Sequence, residues 1–377
     1  MFGTVLTTAV TLMQVYVFWR ASSVPLIKRH IPSKLLIAAG AILWAAFYLG
    51  RVVGHDGSGT FARMLELFGM DWMAVLFLSS VCLLGMDLLT GFGFLLPRLA
   101  PRLRGLALAA GGMLSLAAIV QGLRPPVVQD YEVHLAGLPA EMDSTVLVGL
   151  SDLHVGSLIG EDWLEARVAQ VQALQPDLVV LVGDLFEGHG RPLQDLIPEL
   201  RRLSAPLGVW AVLGNHESYG RGGSTATLLE EAGIRLLRNS WAEISPGLIL
   251  AGVDNLSTSR YTGRGADLVS KALAGRPTGA TILLSHKPWQ ADWAAAAGAG
   301  LMLCGHTHGG QIWPFGYLVR REYPLLAGRY EVGGMEVIVC RGTGTWGPRM
   351  RLWPPGEILR VTLYGNGRGK IPGENQR

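Results

Sequence analysis

Thr145-Val146-Leu147-Val148-Gly149-Leu150-Ser151-Asp152-Leu153-His154 is an apolar run that stops abruptly in a carboxylate and an imidazole. Six consecutive apolar or small residues suit a strand buried on both faces. The same pattern recurs along the chain. Leu178–Val182 runs into Gly183-Asp184, and Val209–Leu213 runs into Gly214-Asn215-His216-Glu217. Thr281–Leu284 leads to Ser285-His286-Lys287-Pro288, and Leu301–Leu303 leads to Cys304-Gly305-His306-Thr307-His308-Gly309-Gly310-Gln311. Leu248–Val253 and Glu336–Cys340 are further strand candidates, while Glu161–Leu174, Pro192–Leu203 and Ser224–Ala232 read as helices. Alternation of this kind predicts an α/β layered fold with its site at the C-terminal ends of strands.

The residues beyond the strands form one chemical series. Imidazoles, carboxylates and one amide oxygen make a mixed nitrogen and oxygen donor set suited to Mn, Fe or Zn, unlike a thiolate site. Alternate residues of an extended segment point the same way, which would let Asp152 and His154, or His306 and His308, converge. Glycines at 183, 214 and 305 are expected to let the chain turn sharply after each strand. Asp184 is centrally placed to bridge two cations, and such a pair clamps the attacking and leaving oxygens of an in-line displacement and acidifies a bridging water. Five of the nine histidines fall in these blocks. His30, His55, His134 and His189 are assigned no role.

Other classes recede on composition. Three cysteines far apart make no disulfide framework, and a net charge of +3 gives no support to a nucleic-acid partner. Cys304 reads as buried packing, and Ser151 and Ser285 have no partner pattern for a covalent nucleophile.

Upstream the chain changes character. The whole is 49% hydrophobic and 16% charged, with a mean hydropathy of +0.32. Residues 1–123 carry thirteen charges, against forty-eight in the remaining 254. Four apolar runs stand out: Phe2–Trp19, Leu35–Val53, Trp72–Pro97 and Gly105–Leu123. Each is near the ~20 residues needed to cross a bilayer, so a four-helix transmembrane region is expected over 1–123. A linker at 124–130 containing Arg124-Pro125-Pro126, a catalytic domain at 131–365 and a flexible tail at 366–377 follow. Arg20, Lys28, Arg29 and Lys34 in the first joint and Arg98, Arg102 and Arg104 in the third outnumber Arg51, Arg63 and Arg124 on the opposite side. The positive-inside rule then places the catalytic half outside the cytoplasm, in a multi-pass protein of the cell (inner) membrane. Asp87 inside the third run reads as a protonated or partnered carboxylate, because nothing else there forms a relay with it.

The ordered set Asp152-x-His154, Gly183-Asp184, Gly214-Asn215-His216-Glu217, His286 and Gly305-His306-x-His308 resembles the calcineurin-like metallophosphoesterase superfamily over roughly residues 131–365. Its Ser-Asp-Leu-His and Gly-His-Thr-His-Gly-Gly-Gln blocks, with Gly342–Arg349 and Pro354-Pro355-Gly356-Glu357-Ile358, are similar to a membrane-anchored bacterial branch. That branch includes UDP-2,3-diacylglucosamine pyrophosphatases and transmembrane proteins with a metallophosphoesterase domain. The resemblance implies a four-layer αββα sandwich and two divalent metal ions. It implies Asp152, His154 and His308 on the first ion, Asn215, His286 and His306 on the second, and Asp184 bridging. His216 would stand beside the substrate phosphate, with Asn215 and Asp184 also in the catalytic group and a metal-bridging hydroxide as nucleophile. Glu187 and Glu217 stand where many relatives carry Asp.

The expected substrate is a phosphate ester or anhydride met at the lipid bilayer, amphiphilic or lipid-linked, with Trp313 and Phe315 as an apolar lip followed by Tyr317 and Leu318. Arg349, together with Arg341 and Arg351, is a candidate contact for a second phosphate, against simple surface solvation. A phosphoprotein phosphatase, a cytoplasm-facing UDP-2,3-diacylglucosamine pyrophosphatase, a regulated transporter and a non-catalytic docking module are the alternatives. The last would be expected to have lost ligands, and none is missing.

Overall fold

The computed structural model describes residues 2–54, 57, 59–187, 193–219, 222–254 and 265–365. His55, His189 and the expected tail lie outside the described residues. The chain divides into two compact units: residues 1–124 with 345–353, and most of the remainder from Pro125 onward.

The first unit is helical. Helices cover Phe2–Ser22, Ser33–Leu49, Thr60–Leu89 and Ala100–Gly122. Among the described residues three segments, not the expected four, are long and apolar enough to cross a membrane: Ser33–Gly54, Thr60–Leu89 and Ala100–Gly122. The helix Phe2–Ser22 dilutes its apolar residues with four threonines, Gln14 and Arg20. Gln14 is buried and bonded, donating to the Gly40 carbonyl at 3.1 Å and accepting from Trp72 Nε1 at 2.9 Å. The third apolar run also shifts. Its helix ends at Leu89 rather than Pro97, because Gly91, Phe92 and Gly93 all adopt positive φ. Val10, Val17, Phe47, Leu76, Leu83 and Ala107 form the inner core, while Leu12, Ile37, Leu88, Met113 and Leu116 are exposed. An apolar outer surface of this kind suits helices whose solvent is lipid.

Asp87 is partnered. Its carboxylate lies 2.6 Å from Arg20 Nε and 2.9 Å from Arg104 Nε, and it accepts from Tyr16 Oη at 2.7 Å. Three helices thereby share one ionic node with no exposure at the carboxylate. Residues 345–353 fold with this unit. The Arg349 amide donates to Asp71 Oδ1 and the Arg351 amide to the Ala118 carbonyl, each at 2.9 Å, and Gln121 exchanges two bonds with the Trp353 backbone.

The second unit contains two six-stranded sheets and a two-stranded one. In chain order its strands are β1 (Val127–Leu135), β2 (Thr145–Leu150), β3 (Val155–Gly156), β4 (Leu178–Val182), β5 (Phe186–Glu187), β6 (Val209–Val212) and β7 (Arg235–Leu236). There follow β8 (Ser240–Ser245), β9 (Leu248–Gly252), β10 (Ala280–Leu284), β11 (Leu301–Cys304), β12 (Gly328–Val332), β13 (Met335–Val339) and β14 (Glu357–Gly365). The first sheet runs β1-β14-β2-β4-β6-β7 and the second β12-β13-β11-β10-β9-β8. Strand β1 begins four residues before the expected domain start, so the linker shortens to Arg124–Pro126; Val127 enters the ladder opposite Glu357.

Period-two alternation builds the layers. On β4, Leu178, Val180 and Val182 face a core shared with Leu250, Ile282 and Leu303 of the second sheet. Val179 and Leu181 face the opposite way, toward Leu164, Val168 and Leu229 of the covering helices. On β10, Leu283 similarly faces helices that carry Val269 and Ala294. Helix, sheet, sheet, helix is the order of packing, as the αββα expectation requires.

Replacing Asp87 by Ala would leave two buried guanidinium groups without a counter-charge. The helical unit should lose about 3–5 kcal/mol, read as a clear fall in unfolding temperature of the detergent-solubilised chain. Leu116→Ala on the exposed face should leave that temperature nearly unchanged. An unaltered transition in the Asp87 variant would remove the ionic node from the account of stability.

Candidate metal centre

All the polar blocks emerge from strand C-terminal ends, but from two facing sheets rather than one. The first sheet supplies Asp152 and His154 after β2, Asp184 after β4 and Asn215 after β6, and the second supplies His286 after β10 and His306 and His308 after β11. The convergence expected of an extended Asp-x-His or His-x-His segment is achieved differently. Asp152, His154, Asp184, His306 and His308 have φ of 54°, 47°, 52°, 71° and 50°. Each therefore sits in the left-handed region, where non-glycine residues are rare and are held only by surrounding structure.

That hold is visible. Glu217 accepts from the backbone amides of Asp184, Leu185, Phe186 and Gly214 at 2.7–3.1 Å, clamping the turns after β4 and β6 with one carboxylate. Asp152 accepts from Ser151 Oγ at 2.5 Å and from the His306 amide at 3.0 Å, joining the β2 and β11 turns. The glycines divide their work. Gly183 turns the chain at φ 79°, whereas Gly214 and Gly305 are needed for space. A Cβ on Gly214 would collide with the Asp184 carboxylate, and one on Gly305 with Ser151 and Asp152.

Among the described residues three donor groups result, each with ligand atoms within 4.8 Å of one another: Asp152, His154 and His308; Asp184, His286 and His306; and His154, Glu187 and His216. Second nitrogens are engaged from behind. His286 Nδ1 is 2.8 Å from the Val182 carbonyl, which can only accept, so that nitrogen carries the hydrogen. Its Nε2 then faces Asp184 Oδ2 at 3.0 Å. His154 Nδ1 is 2.7 Å from Glu187 Oε2, leaving its Nε2 3.2 Å from His308 Nε2. His306 Nδ1 likewise lies 3.2 Å from His286 Nε2. Buried imidazole nitrogens in such pairs suit cations between or beside them. The Asn215 Oδ1 atom is buried with no hydrogen-bond partner among the described residues, as a metal-facing amide oxygen would be. The donor set therefore fits divalent ions.

Charge follows from the same contacts. Burial would raise the Glu187 pKa, but hydrogen bonds from His154 and His216 and their positive charge win and hold it at about 2. Burial would lower His216, yet its bond to Glu187 at 2.8 Å and the charges of Asp184 and Glu187 lift it to about 9. Burial also opposes protonation of His286, and Asp184 and Asp152 overcome it, again to about 9. His306 is driven well below the ordinary imidazole range by burial, His286 and Lys287.

Other sequence candidates fall differently. Cys304 is fully buried and its thiol is pushed up by burial, consistent with packing. Ser151 and Ser285 donate to Asp152 and to the Lys287 carbonyl. Trp313 and Phe315 are exposed just beyond the His308 turn. Arg349 and Arg351 belong to the helical unit, and Arg351 is buried there rather than solvated. Arg341 lies in the catalytic unit with its guanidinium 3.1 Å from Glu357. The sequence reading left Glu187 and Glu217 at the margin and gave Tyr323 no part. Yet Glu187 touches two histidines, Glu217 clamps two turns, and Tyr323 Oη lies 2.8 Å from His306 Nε2. Only the first two carried a signal, as carboxylates inside the motif blocks.

The chain is similar to several known proteins. The calcineurin-like phosphoesterase family profile matches residues 146–310. A Bos taurus transmembrane protein with metallophosphoesterase domain is 36% identical over 68% of this chain, which spans 62% of that relative's length. An uncharacterized metallophosphoesterase of Aquifex aeolicus is 35% identical over 64% of this chain and 92% of its own. A solved dimetal phosphatase from Danio rerio aligns over 59% of this chain and 93% of its own at 14% identity, with a TM-score of 0.37. With a profile that ends on the His308 turn and a relative matched over nearly its whole length, this chain belongs to the calcineurin-like metallophosphoesterase family.

Proposed function

We propose that the chain is a membrane-anchored phosphoesterase that uses two divalent ions to hydrolyse phosphodiester, diphosphate or phosphomonoester bonds in an amphiphilic, lipid-linked substrate. The observation that carries this reading is the convergence of Asp152, His154, Asp184, His286, His306 and His308 into donor groups, together with a buried Asn215 amide oxygen, on the turn after β6, that has no hydrogen-bond partner among the described residues. In it, Asp152, His154 and His308 would hold one ion, Asn215, His286 and His306 would hold the other, and Asp184 would serve both. When bound, the pair supplies the charge that acidifies a water and offsets the oxygens of an in-line displacement.

The chain's own side chains supply the rest. His216 Nδ1 is tied to Glu187, which turns its Nε2 toward the cluster, 3.9 Å from Asp184 Oδ2. An imidazolium in that place can donate its Nε2 proton to the leaving oxygen. Glu187 orients both His216 and His154, so the proton donor and one ligand are registered to each other. The exposed Trp313 and Phe315 form an apolar edge fit for the hydrocarbon part of a substrate.

The same side of the membrane follows whether or not the helix Phe2–Ser22 crosses it. Residues 20–34 and 98–104 remain on one side of the three spans, and 51–63 and 124 on the other. Seven basic residues against three then orient the catalytic unit outside the cytoplasm, in the cell (inner) membrane. An external site disfavours a nucleotide-lipid substrate made in the cytoplasm and favours lipid phosphates, lipid diphosphates and phosphodiesters.

The purified full chain should hydrolyse bis(p-nitrophenyl) phosphate with added Mn²⁺ and lose all turnover with EDTA; equal turnover in Asp184→Asn would overturn the reading. His216→Ala should slow an alkyl phosphate ester by about 100-fold or more and a p-nitrophenyl ester far less, because a good leaving group needs no proton. A uniform loss on both esters would remove the proton-donor role. A C-terminal reporter active only outside the cytoplasm should give signal, and activity of its cytoplasmic counterpart instead would reverse the orientation.

A further inference from the structure

We propose that Tyr323, backed by Lys287 and Trp289, is the positioning residue that decides which nitrogen of His306 is presented to the second metal ion. This rests on the assignment of His306 as a ligand in the proposed function. Nothing in the sequence motifs points to Tyr323, which lies beyond the end of helix Gly316–Glu322, fifteen residues after His308.

The geometry is specific. His306 Nε2 lies 2.8 Å from Tyr323 Oη, while Nδ1 lies 3.2 Å from His286 Nε2, inside the donor group formed with Asp184. An imidazole ligates only through a nitrogen that has no hydrogen, and the bond made by the other nitrogen settles which one that is. For Nδ1 to face the metal, the hydrogen must reside on Nε2 and needs an acceptor. Tyr323 Oη is that acceptor.

A phenol can also donate, and then the tautomer would be reversed. The placement of Nδ1 argues against that: it faces His286 Nε2 inside the donor group, where a hydrogen on Nδ1 would exclude the ion. The Lys287 ammonium, which can only donate, lies 3.4 Å from the same Oη. A phenol oxygen has two lone pairs, so it can accept from Lys287 and from the His306 Nε2–H at once. Lys287 is itself buried, with Nζ 4.6 Å over the Trp289 ring. Trp289 in turn stacks on Tyr323 at 5.2 Å and 13°, and Tyr323 meets the His306 ring edge-on at 4.8 Å and 70°. Both backing residues come from the turn that delivers His286, where Ser285 Oγ donates to the Lys287 carbonyl at 2.8 Å. One turn thus presents a ligand of the second ion and, through Lys287 and Trp289, fixes the residue that orients another.

Tyr323→Phe keeps the ring and its stacking and removes only the oxygen. Partners of metal-bound histidines are typically worth about 10–100-fold in metal affinity, and the loss should fall on one ion alone. Mn²⁺ binding to the full-length chain in detergent, counted by equilibrium dialysis, should give two equivalents in the unaltered protein. In Tyr323→Phe one equivalent should keep its Kd and the other should weaken about 10–100-fold, with the metal-free unfolding temperature unchanged. The electron paramagnetic resonance signal of two coupled Mn²⁺ ions should disappear in parallel at limiting metal. Two unchanged affinities, or equal weakening at both sites, would overturn the proposal. Should Tyr323→Phe fail to fold, Lys287→Met tests the same device: selective weakening of one equivalent supports it and unchanged binding overturns it. Fewer than two equivalents in the unaltered chain would instead strike the two-metal reading itself, which separates the two failures.

Discussion

Everything at the candidate metal centre depends on holding five of its donor residues in a backbone conformation they resist. A left-handed φ costs a non-glycine residue about 1–3 kcal/mol, and Asp152, His154, Asp184, His306 and His308 all adopt it. Two parallel strand bundles make this tolerable. Because β2, β4, β6, β10 and β11 are flanked by neighbours on both sides, their C-terminal ends are fixed where these turns begin. Backbone bonds finish the work: the amides of Asp152 and His154 donate to the carbonyls of Gly183 and Asp184, so one ligand loop is laced to the next. Glu217 does the same for the turns after β4 and β6 from beneath. The ligands are therefore preorganised by the scaffold, which is how a site keeps its geometry without relying on flexible loops.

Much of this was legible in the residues, for identifiable reasons. Strands buried on both faces read as continuous apolar runs, so Thr145–Leu150 and Leu178–Val182 were read with their observed ends. The edge and outer strands were not. On β12, Arg329 and Glu331 are exposed and alternate with half-buried residues, and β8 and β1 are similarly mixed, so no apolar run marks them. The ligand residues stood out because polar groups directly after buried strands are few. How they converge did not, since a positive φ in Asp or His leaves no mark in composition. Tyr323 was illegible for a different reason. Its link to His306 exists only once helix Gly316–Glu322 has folded back, and an isolated Tyr in a loop carries no signal.

The helical unit shows a related limit. Hydropathy located the apolar stretches, but not how polar residues within them are satisfied. Gln14 bonds to Gly40 and Trp72, and Asp87 to Tyr16, Arg20 and Arg104. In a low-dielectric setting each of these bonds is costly to leave unmade, so they specify which helices are neighbours where apolar packing alone would leave alternatives. Two of the seven basic residues counted for the proposed orientation carry the guanidinium groups beside Asp87. The remaining five, Lys28, Arg29, Lys34, Arg98 and Arg102, still exceed the three on the opposite side, so the topological reading does not turn on the buried pair.

The protonation pattern shows how the same groups serve both structure and chemistry. His286 is pinned by a carbonyl, His154 by a carboxylate and His306 by a phenol, three acceptors of rising adaptability. A carbonyl cannot change its role, so His286 is committed to presenting Nε2. Glu187 shares its carboxylate between His154 and His216, which makes the orientation of the one and the charge on the other linked properties. Any change that draws Glu187 toward one histidine weakens its hold on the other. The phenol of Tyr323 alone could donate or accept, and it is the one acceptor with a buried ammonium beside it. Two lone pairs let that phenol accept from Lys287 and from the His306 Nε2–H together, the arrangement that leaves Nδ1 turned to the donor group.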